Sequence, residues 1–384
     1  MARRLAAGAA AALLLALTAP PAAAMASLPR GHQAAGQRSH PVGGDQLGTR
    51  GVVVNWVPGA PALPPASALP AASWLVANLT TGEVLAAKAP HAKFLPASTL
   101  KMLTAETLIP RLNPNAKWRI SYHDEVVDGT KAGLTVGKRY TIEMLFQCML
   151  EMSANDAAEA LAEAFGGVKT TLHAMNAEAR VLQAYDTHAM TPSGLDGPGE
   201  TTSAYDLALI AQAAFKLPDF RHYITQVSTE VPAKHHKHFQ IQSHNDLLTT
   251  YRGDVGGKNG YTVAAQATYV GAARRHGQTI VVSLMHAYPN WAPMARALLN
   301  WGFKATGKVA PVGELVQPVP PAAAVNPHVS NVAQATVPSP DTKSPTAPLI
   351  ETLVVMLTVF VAGMTAIRRI LPRRNASRLK LPPF

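Results

Sequence analysis

Hydrophobic and polar positions alternate, cluster and lapse in a definite order along this chain. Residues 73–90 (SWLVANLTTGEVLAAKAP) run apolar, then polar across Thr80–Gly82, then apolar again, which predicts a β-hairpin. A periodic stretch follows Pro96 and predicts a helix over 98–108. Residues 141–152 form a strongly apolar helical segment, and NDAAEALAEAF continues as a second helix. Residues 170–184 and 203–215 read as amphipathic helices. Two apolar runs, 264–274 and 278–287, are separated by the polar turn Arg275–Gly277 and predict paired strands. Residues 291–303 close the series as a helix.

Strands therefore come first and last, with helices between. That order predicts an α/β (α+β) fold: an antiparallel sheet flanked by helices, with the middle of the chain as an all-helical subdomain. A cleft between two such lobes is a natural place for a site.

The pattern lapses in two places. Residues 27–70 are rich in Gly, Pro, Ala and Ser without periodicity, and 309–348 are Pro-rich. Both read as extended spacers, because such segments bury too little apolar surface to offset their ordering entropy. The expected folded unit is then 71–308.

Outside these segments lie two hydrophobic runs. Residues 1–26 place Arg3 and Arg4 before an Ala/Leu stretch and small-residue A-x-A patterns, the order of a secretory signal peptide. Residues 349–367 are predominantly apolar with Glu351 as their one charged residue, and at 1.5 Å per residue they just span a bilayer core.

Charge alters one conclusion. The formal net charge is +11, which first suggests a nucleic-acid partner. Arg3 and Arg4 carry two of these charges, and Arg368, Arg369, Arg373, Arg374, Arg378 and Lys380 carry six more. The excess thus borders the hydrophobic runs, where topology signals sit, and argues against nucleic acid. By the positive-inside rule, 368–384 would be a cytoplasmic tail and the folded unit would stand on the outer face of a cell membrane.

Cys148 is the sole cysteine, so neither an intrachain disulfide nor a thiolate metal cluster is available. Its place on an apolar helix makes it a small buried hydrophobe. His235, His236, His238 and His244 cluster without ordered ligand spacing and read as a solvated loop. No metal or cofactor is expected.

The chemistry lies in three short motifs. Ser98 opens a helix and Lys101 follows at i+3 on the same face, so an amine can reach a hydroxyl that needs a base. The spacing is weak evidence alone, since Ser377–Lys380 repeats it in the tail. Ser153-Ala154-Asn155 joins two strong helices, where a loop could face a cleft; Ser243–Asn245 repeats that spacing by chance. Lys258-Asn259-Gly260 lies just before the 264–274 strand, where an edge strand could flank the same cleft. The order S-x-x-K, S-x-N, K-x-G is the penicillin-binding and β-lactamase motif set.

Here the chain resembles the low-molecular-mass penicillin-binding proteins, the serine-type D-alanyl-D-alanine carboxypeptidases. FLPASTLKMLTA, MSANDAAEALAE, residues 175–211 and GGKNGYTVAAQATYVGAARR carry the resemblance, which covers about 70–305. The flanking segments are similar to those of actinobacterial membrane-anchored members. The resemblance implies a β-lactamase/transpeptidase-like fold and removal of the terminal D-Ala from peptidoglycan stem pentapeptides through an acyl-enzyme, with β-lactams as covalent inhibitors. Ser98 would attack, Lys101 would accept its proton, Ser153 would relay protons, and Asn155 would hold the peptide amide and Lys101. Lys258 would attract the substrate carboxylate. Asn259, Gly260, Tyr261 and Thr262 would line the substrate, with the N–H groups of Ser98 and Tyr261 as oxyanion hole.

Three positions depart from the family pattern. Asn259 stands where Thr or Ser is usual, and Gln183 and Gln266 stand where glycine is usual. They leave open a catalytically weakened muropeptide or β-lactam binder of the same fold. A β-lactamase is the other alternative, but 175–211 lacks the E-x-x-L-N segment expected of it.

Overall fold

A computed structural model describes residues 41–233 and 237–319. The expected signal peptide, the spacer beyond 319, the membrane span at 349–367, the basic tail and His235–His236 lie outside the described residues. No helix among the described residues is long and apolar enough to cross a membrane.

The hairpin is β1 (Ala71–Asn78) and β2 (Glu83–Lys88). The longer helices of the middle are α1 (Lys101–Leu108), α2 (Ile142–Glu151), α3 (Asn155–Ala164), α4 (Val168–Val181), α5 (Ala204–Ala214) and α6 (Pro218–Ile224). The chain then returns to the sheet through β3 (Asp254–Thr262), β4 (Gln266–Arg275) and β5 (Gln278–Ala287), and closes with α7 (Trp291–Ala305). The strands pair antiparallel in the order β2-β1-β5-β4-β3. The α/β architecture follows the expected order, with first and last strands in one sheet, but the inserted middle is not all-helical: Lys117–Arg119 pairs with Arg139–Thr141 and Ser228–Pro232 with His238–Gln242.

Local chemistry sets the helix starts. Thr141 caps α2 by accepting from Met144 N, and Ser203 caps α5 by accepting from Asp206 N. The sheet is buried on both faces. On one side α7 packs Leu298 and Leu299 with Trp74, Ile280, Val282 and Leu284, and Tyr269 stacks on Trp291 with ring centroids 4.2 Å apart. On the other, Leu75, Val270 and Val281 join a core shared with α1, α2, α3 and α5. Ser283 Oγ ties the sheet to α5 by donating to Ala204 O at 2.6 Å.

The spacer boundaries differ from expectation at both ends. Residues 41–70 and 309–319 belong to the fold. Val52–Val53 pairs with β2, as does Gly313–Glu314, and Asn55–Trp56 pairs with Val309–Ala310. Leu47 is fully buried, and Trp301 Nε1 donates to Pro61 O. These segments have no periodic core of their own. They are ordered by the unpaired edge of β2 and by the protein surface beside it, which a single-segment reading does not contain. His238, read as loop, opens a strand (His238–Gln242) paired with Ser228–Pro232.

One polar pin holds the N-terminal segment. His91 faces two acceptors: its Nδ1 lies 2.8 Å from Asp186 Oδ2 and its Nε2 lies 3.0 Å from Val42 O. Satisfying both requires two N–H groups, hence the imidazolium. Burial opposes that charge, yet the Asp186 contact and the Val42 carbonyl raise the His91 pKa above its ordinary value. The folded-state pKa is raised, so the pin's contribution is complete below about 6.5 and is lost as pH climbs through the folded value. We expect the urea midpoint of wild type to exceed that of His91→Gln most below pH 6.5, with the gap shrinking toward pH 9. A gap that grows with pH would contradict the imidazolium.

Candidate active site

Ser98 sits in a 3-10 turn (Ala97–Leu100) that runs straight into α1. Two hydroxyls hold the Pro96 carbonyl just before it, Thr99 at 2.6 Å and Thr268 of β4 at 2.8 Å. Ala97 takes the left-handed conformation (φ 46°), a strained state for alanine that aims the following serine. Gly260 is required beside it: a Cβ there would lie 2.6 Å from Ser98 N and 2.6 Å from Thr268 Oγ1. The strand backbone at 260–261 therefore lies against the nucleophile's own N–H.

Lys101 is completely buried, and its ammonium makes three hydrogen bonds: to Ser98 Oγ at 2.9 Å, to Asn155 Oδ1 at 2.7 Å and to Ser193 O at 2.8 Å. Burial, then the nearby Lys258 charge, push its pKa well below the usual lysine range. Lys258, only 1% exposed, donates to Asn259 O at 2.8 Å, and burial brings it down to about 7. Two buried lysines that release protons far more readily than free lysine are the electrostatic signature of the cluster.

The second motif is set by a clamp. Ser153 is 6% exposed and adopts φ 67° at the α2–α3 junction. Asn155 N donates to Thr130 O at 2.7 Å, and Asn155 Nδ2 donates to Asp128 O at 2.6 Å. Asp156 accepts from the N–H groups of Ala132, Gly133, Leu134 and Ala157 at 2.9–3.1 Å. The loop 128–134 is thus fastened to the start of α3, and Asn155 is held with its oxygen toward Lys101.

Ser98, Lys101 and Asn155 are linked by hydrogen bonds, and Gly260 packs on Ser98. Strand alternation places Lys258 and Gly260 on the face that meets Ser98. Asn259 falls on the opposite face, across the ladder from Tyr269, with its Oδ1 buried and without a hydrogen-bond partner among the described residues. Its amide is therefore not part of the Lys101 cluster. Tyr261 is 56% exposed on the strand, and Thr262 donates to Asp196 Oδ1 at 2.8 Å.

The two glutamine departures have a local explanation. Gln183 (φ 61°) and Gln266 (φ 56°) both occupy left-handed backbone, the region where glycine is free of strain. Gln183 follows α4 and donates to Gln317 O, so it belongs to the C-terminal contact and not to the catalytic cluster. Gln266 donates to Val263 O inside the β3–β4 turn.

Sequence reasoning missed Ser193 and Asp156. Ser193 acts through a backbone carbonyl, which no residue type announces. Asp156 stood one place beyond a motif already noted, and only the fold brings it under 132–134. Cys148 is buried, and burial raises its thiol pKa well above the ordinary value, so it stays a protonated hydrophobe. His244 is exposed; burial of part of its ring, then the charge of Lys258, lowers its pKa. The groups His91–Asp186–Asp206 and His123–Glu159–Glu163 bring metal-type donors together, but neither includes a residue of the cluster.

A serine at a helix start, a buried depressed lysine at i+3, an S-x-N loop and a lysine-bearing edge strand define a serine acyl-transfer enzyme of the penicillin-recognising fold. Comparison with known proteins narrows the class. The sequence profile of the D-alanyl-D-alanine carboxypeptidase family matches residues 60–288, and the chain belongs to that family. It is 38% identical over 253 residues to D-alanyl-D-alanine carboxypeptidase DacB2 of Mycobacterium tuberculosis, covering 64% of this chain and 86% of that protein. It is 30% identical to DacD of Salmonella typhimurium, of which it spans 64%. The crystal structure of a D-alanyl-D-alanine carboxypeptidase from M. tuberculosis superposes with a TM-score of 0.64 at 36% identity, covering 68% of this chain and 99% of that one. A Streptomyces DD-transpeptidase superposes at 0.60 with 28% identity, covering 63% and 99%.

Proposed function

We infer that this chain is a serine D-Ala-D-Ala carboxypeptidase that trims peptidoglycan stem pentapeptides. The observation that carries the reading is the Ser98–Lys101–Asn155 hydrogen-bonded chain around a fully buried lysine. Neutral Lys101 takes the Ser98 proton as Oγ bonds to the penultimate D-Ala carbonyl carbon. The N–H groups of Ser98 and Tyr261 hold the oxyanion. Collapse breaks the peptide C–N bond, the amine of D-Ala leaves with a proton relayed by Ser153, and water then cleaves the acyl-enzyme. A β-lactam amide meets the same attack, but its leaving group stays tethered, which prolongs the acyl state. Lys258 supplies positive potential for the terminal carboxylate.

The same reading places the enzyme outside the cell. A leader at 1–26 would export the folded unit, a span at 349–367 would anchor it, and the basic tail would face the cytoplasm. The charge asymmetry beside both hydrophobic runs supports this arrangement.

The test is release of free D-Ala from a pentapeptide ending in D-Ala-D-Ala, with a mass shift on incubation with penicillin. Release without Ser98 acylation, or neither event, would reject the reading. The two lysines also set a pH profile. Lys101 must be neutral to accept a proton, so activity falls on the acid side. Lys258 must be charged to bind carboxylate, so kcat/KM falls on the alkaline side as pH passes about 7. Lys258→Arg, permanently charged, is expected to lower the maximum and move the alkaline limb upward; an unmoved limb would remove Lys258 from the carboxylate role.

A further inference from the structure

The structure carries a cavity whose chemistry differs from that of the Ser98 cluster. It measures about 480 Å³ and lies at the end of the sheet formed by the β1–β2 turn and by the first residues of β3 and β5. Lys216, Arg221 and Arg274 line it, and no carboxylate does. Leu79, Phe215 and Val255 form its apolar wall, and Thr80, Thr81 and Thr279 bring hydroxyls. The acids Asp45, Glu83 and Glu314 line the neighbouring cavity, past Thr81 and Gly82. None of the lining residues belongs to the catalytic cluster.

The cations are not used up by the protein. Among the described residues none of the three forms an ion pair. Arg221 spends Nη1 on the carbonyls of Phe215 and Lys216 at the end of α5, which fixes its head while leaving its other donors. Lys216 reaches only Gln317 Oε1, at a long 3.4 Å, and the Arg274 side chain has no hydrogen-bond partner among the described residues. Three like charges gathered on one concave wall raise the local potential and disfavour the empty state.

A further observation points inward. Gln212 is 7% exposed, lines this cavity, and its amide makes no hydrogen bond among the described residues. An amide can donate to an oxyanion while its neighbours supply the opposite charge.

We propose that this cavity is a binding site for a phosphate-bearing anion, held by Lys216, Arg221 and Arg274 with the Gln212 amide as a further donor. Phosphate fits better than a single carboxylate because three cations face one space and guanidinium groups pair phosphate oxygens in a fork. The apolar wall accommodates an organic substituent, so the ligand is a phosphate ester or a phosphodiester chain. The site is separate from Ser98, and it stands or falls independently of the peptidase reading.

The experiment is calorimetric titration of the full-length protein with inorganic pyrophosphate and, separately, with a short glycerol-phosphate oligomer. Wild type is expected to bind at least one probe with Kd below about 1 mM. The double variant Lys216→Gln/Arg274→Gln should weaken binding about tenfold or more, because two charges near the anion are removed. Both positions are exposed, so the fold survives the change. Gln212→Leu should weaken binding without altering net charge, which separates a built site from general attraction to a basic surface. Tighter binding of pyrophosphate would identify a small phosphate ester as the ligand, and tighter binding of the oligomer a phosphodiester chain. Failure of both probes to bind at millimolar concentration would overturn the proposal, as would equal binding by wild type and the double variant, or an undiminished affinity in Gln212→Leu.

Discussion

Ser98→Ala is expected to reduce D-Ala release by about 10⁴-fold or more and to abolish the penicillin mass shift. Removing a catalytic serine from an acyl-transfer site leaves only binding and oxyanion stabilisation, which do not make a covalent intermediate. The fold should survive. The Ser98 hydroxyl takes one hydrogen bond, from Lys101, and the surrounding turn is held by Thr99 and Thr268 through the Pro96 carbonyl. A melting temperature near wild type, with pentapeptide still bound, would complete the result. Residual covalent labelling in this variant would mean that another nucleophile carries the chemistry.

Lys101→Met should cost nearly as much, about 10³-fold in kcat, for a different reason. Methionine fills most of the same volume but accepts no proton. It also leaves Asn155 Oδ1 and Ser193 O without their donor, so the alignment of Asn155 loosens. Stability should move little, because losing these hydrogen bonds is offset by no longer burying a polar amine. The discriminating readout is penicillin acylation as a function of pH. In wild type the rate should rise as Lys101 loses its proton; in Lys101→Met that limb should vanish. If the limb persists, the base is another group, and Lys101 serves only to position Asn155.

Much of this site was legible in the chain because its parts are local. Ser98 and Lys101 are one helical turn apart, and Ser153 and Asn155 share one loop. Periodicity located the helices beside them, whereas β3, which carries Lys258, precedes the 264–274 run that periodicity marks as a strand. What remained hidden depends on contacts between distant segments. The Ser193 carbonyl meets Lys101 across 92 positions. Asp156 has the residue type of any helix-start acid until 132–134 folds over it. Asn259 is expected from its motif to line the substrate, yet strand alternation places it across the ladder from Tyr269. Gln183 and Gln266 looked like three-way damage to one site with Asn259. They are instead two backbone positions that keep the left-handed conformation usual for glycine, one of them away from the catalytic cluster. The Pro- and Gly-rich ends failed for the opposite reason: their composition says spacer, and only the free edge of β2 recruits them.

Those recruited ends have a consequence for how the domain bears load. Glu314 N donates to Gly43 O at 2.8 Å, and Asn55 donates to Pro311 O at 2.9 Å, so the incoming and outgoing chain segments grip each other. Tension drawn through both ends would act on these short ladders in a zipper-like sequence before reaching the sheet interior. Peeling them would release residues 41–56 and 309–317 while leaving Ser98, Lys101 and β3 in register. The same proximity allows the order of the chain to be rearranged: joining 319 to 41 by a short linker and opening a loop elsewhere would keep every contact of the catalytic cluster.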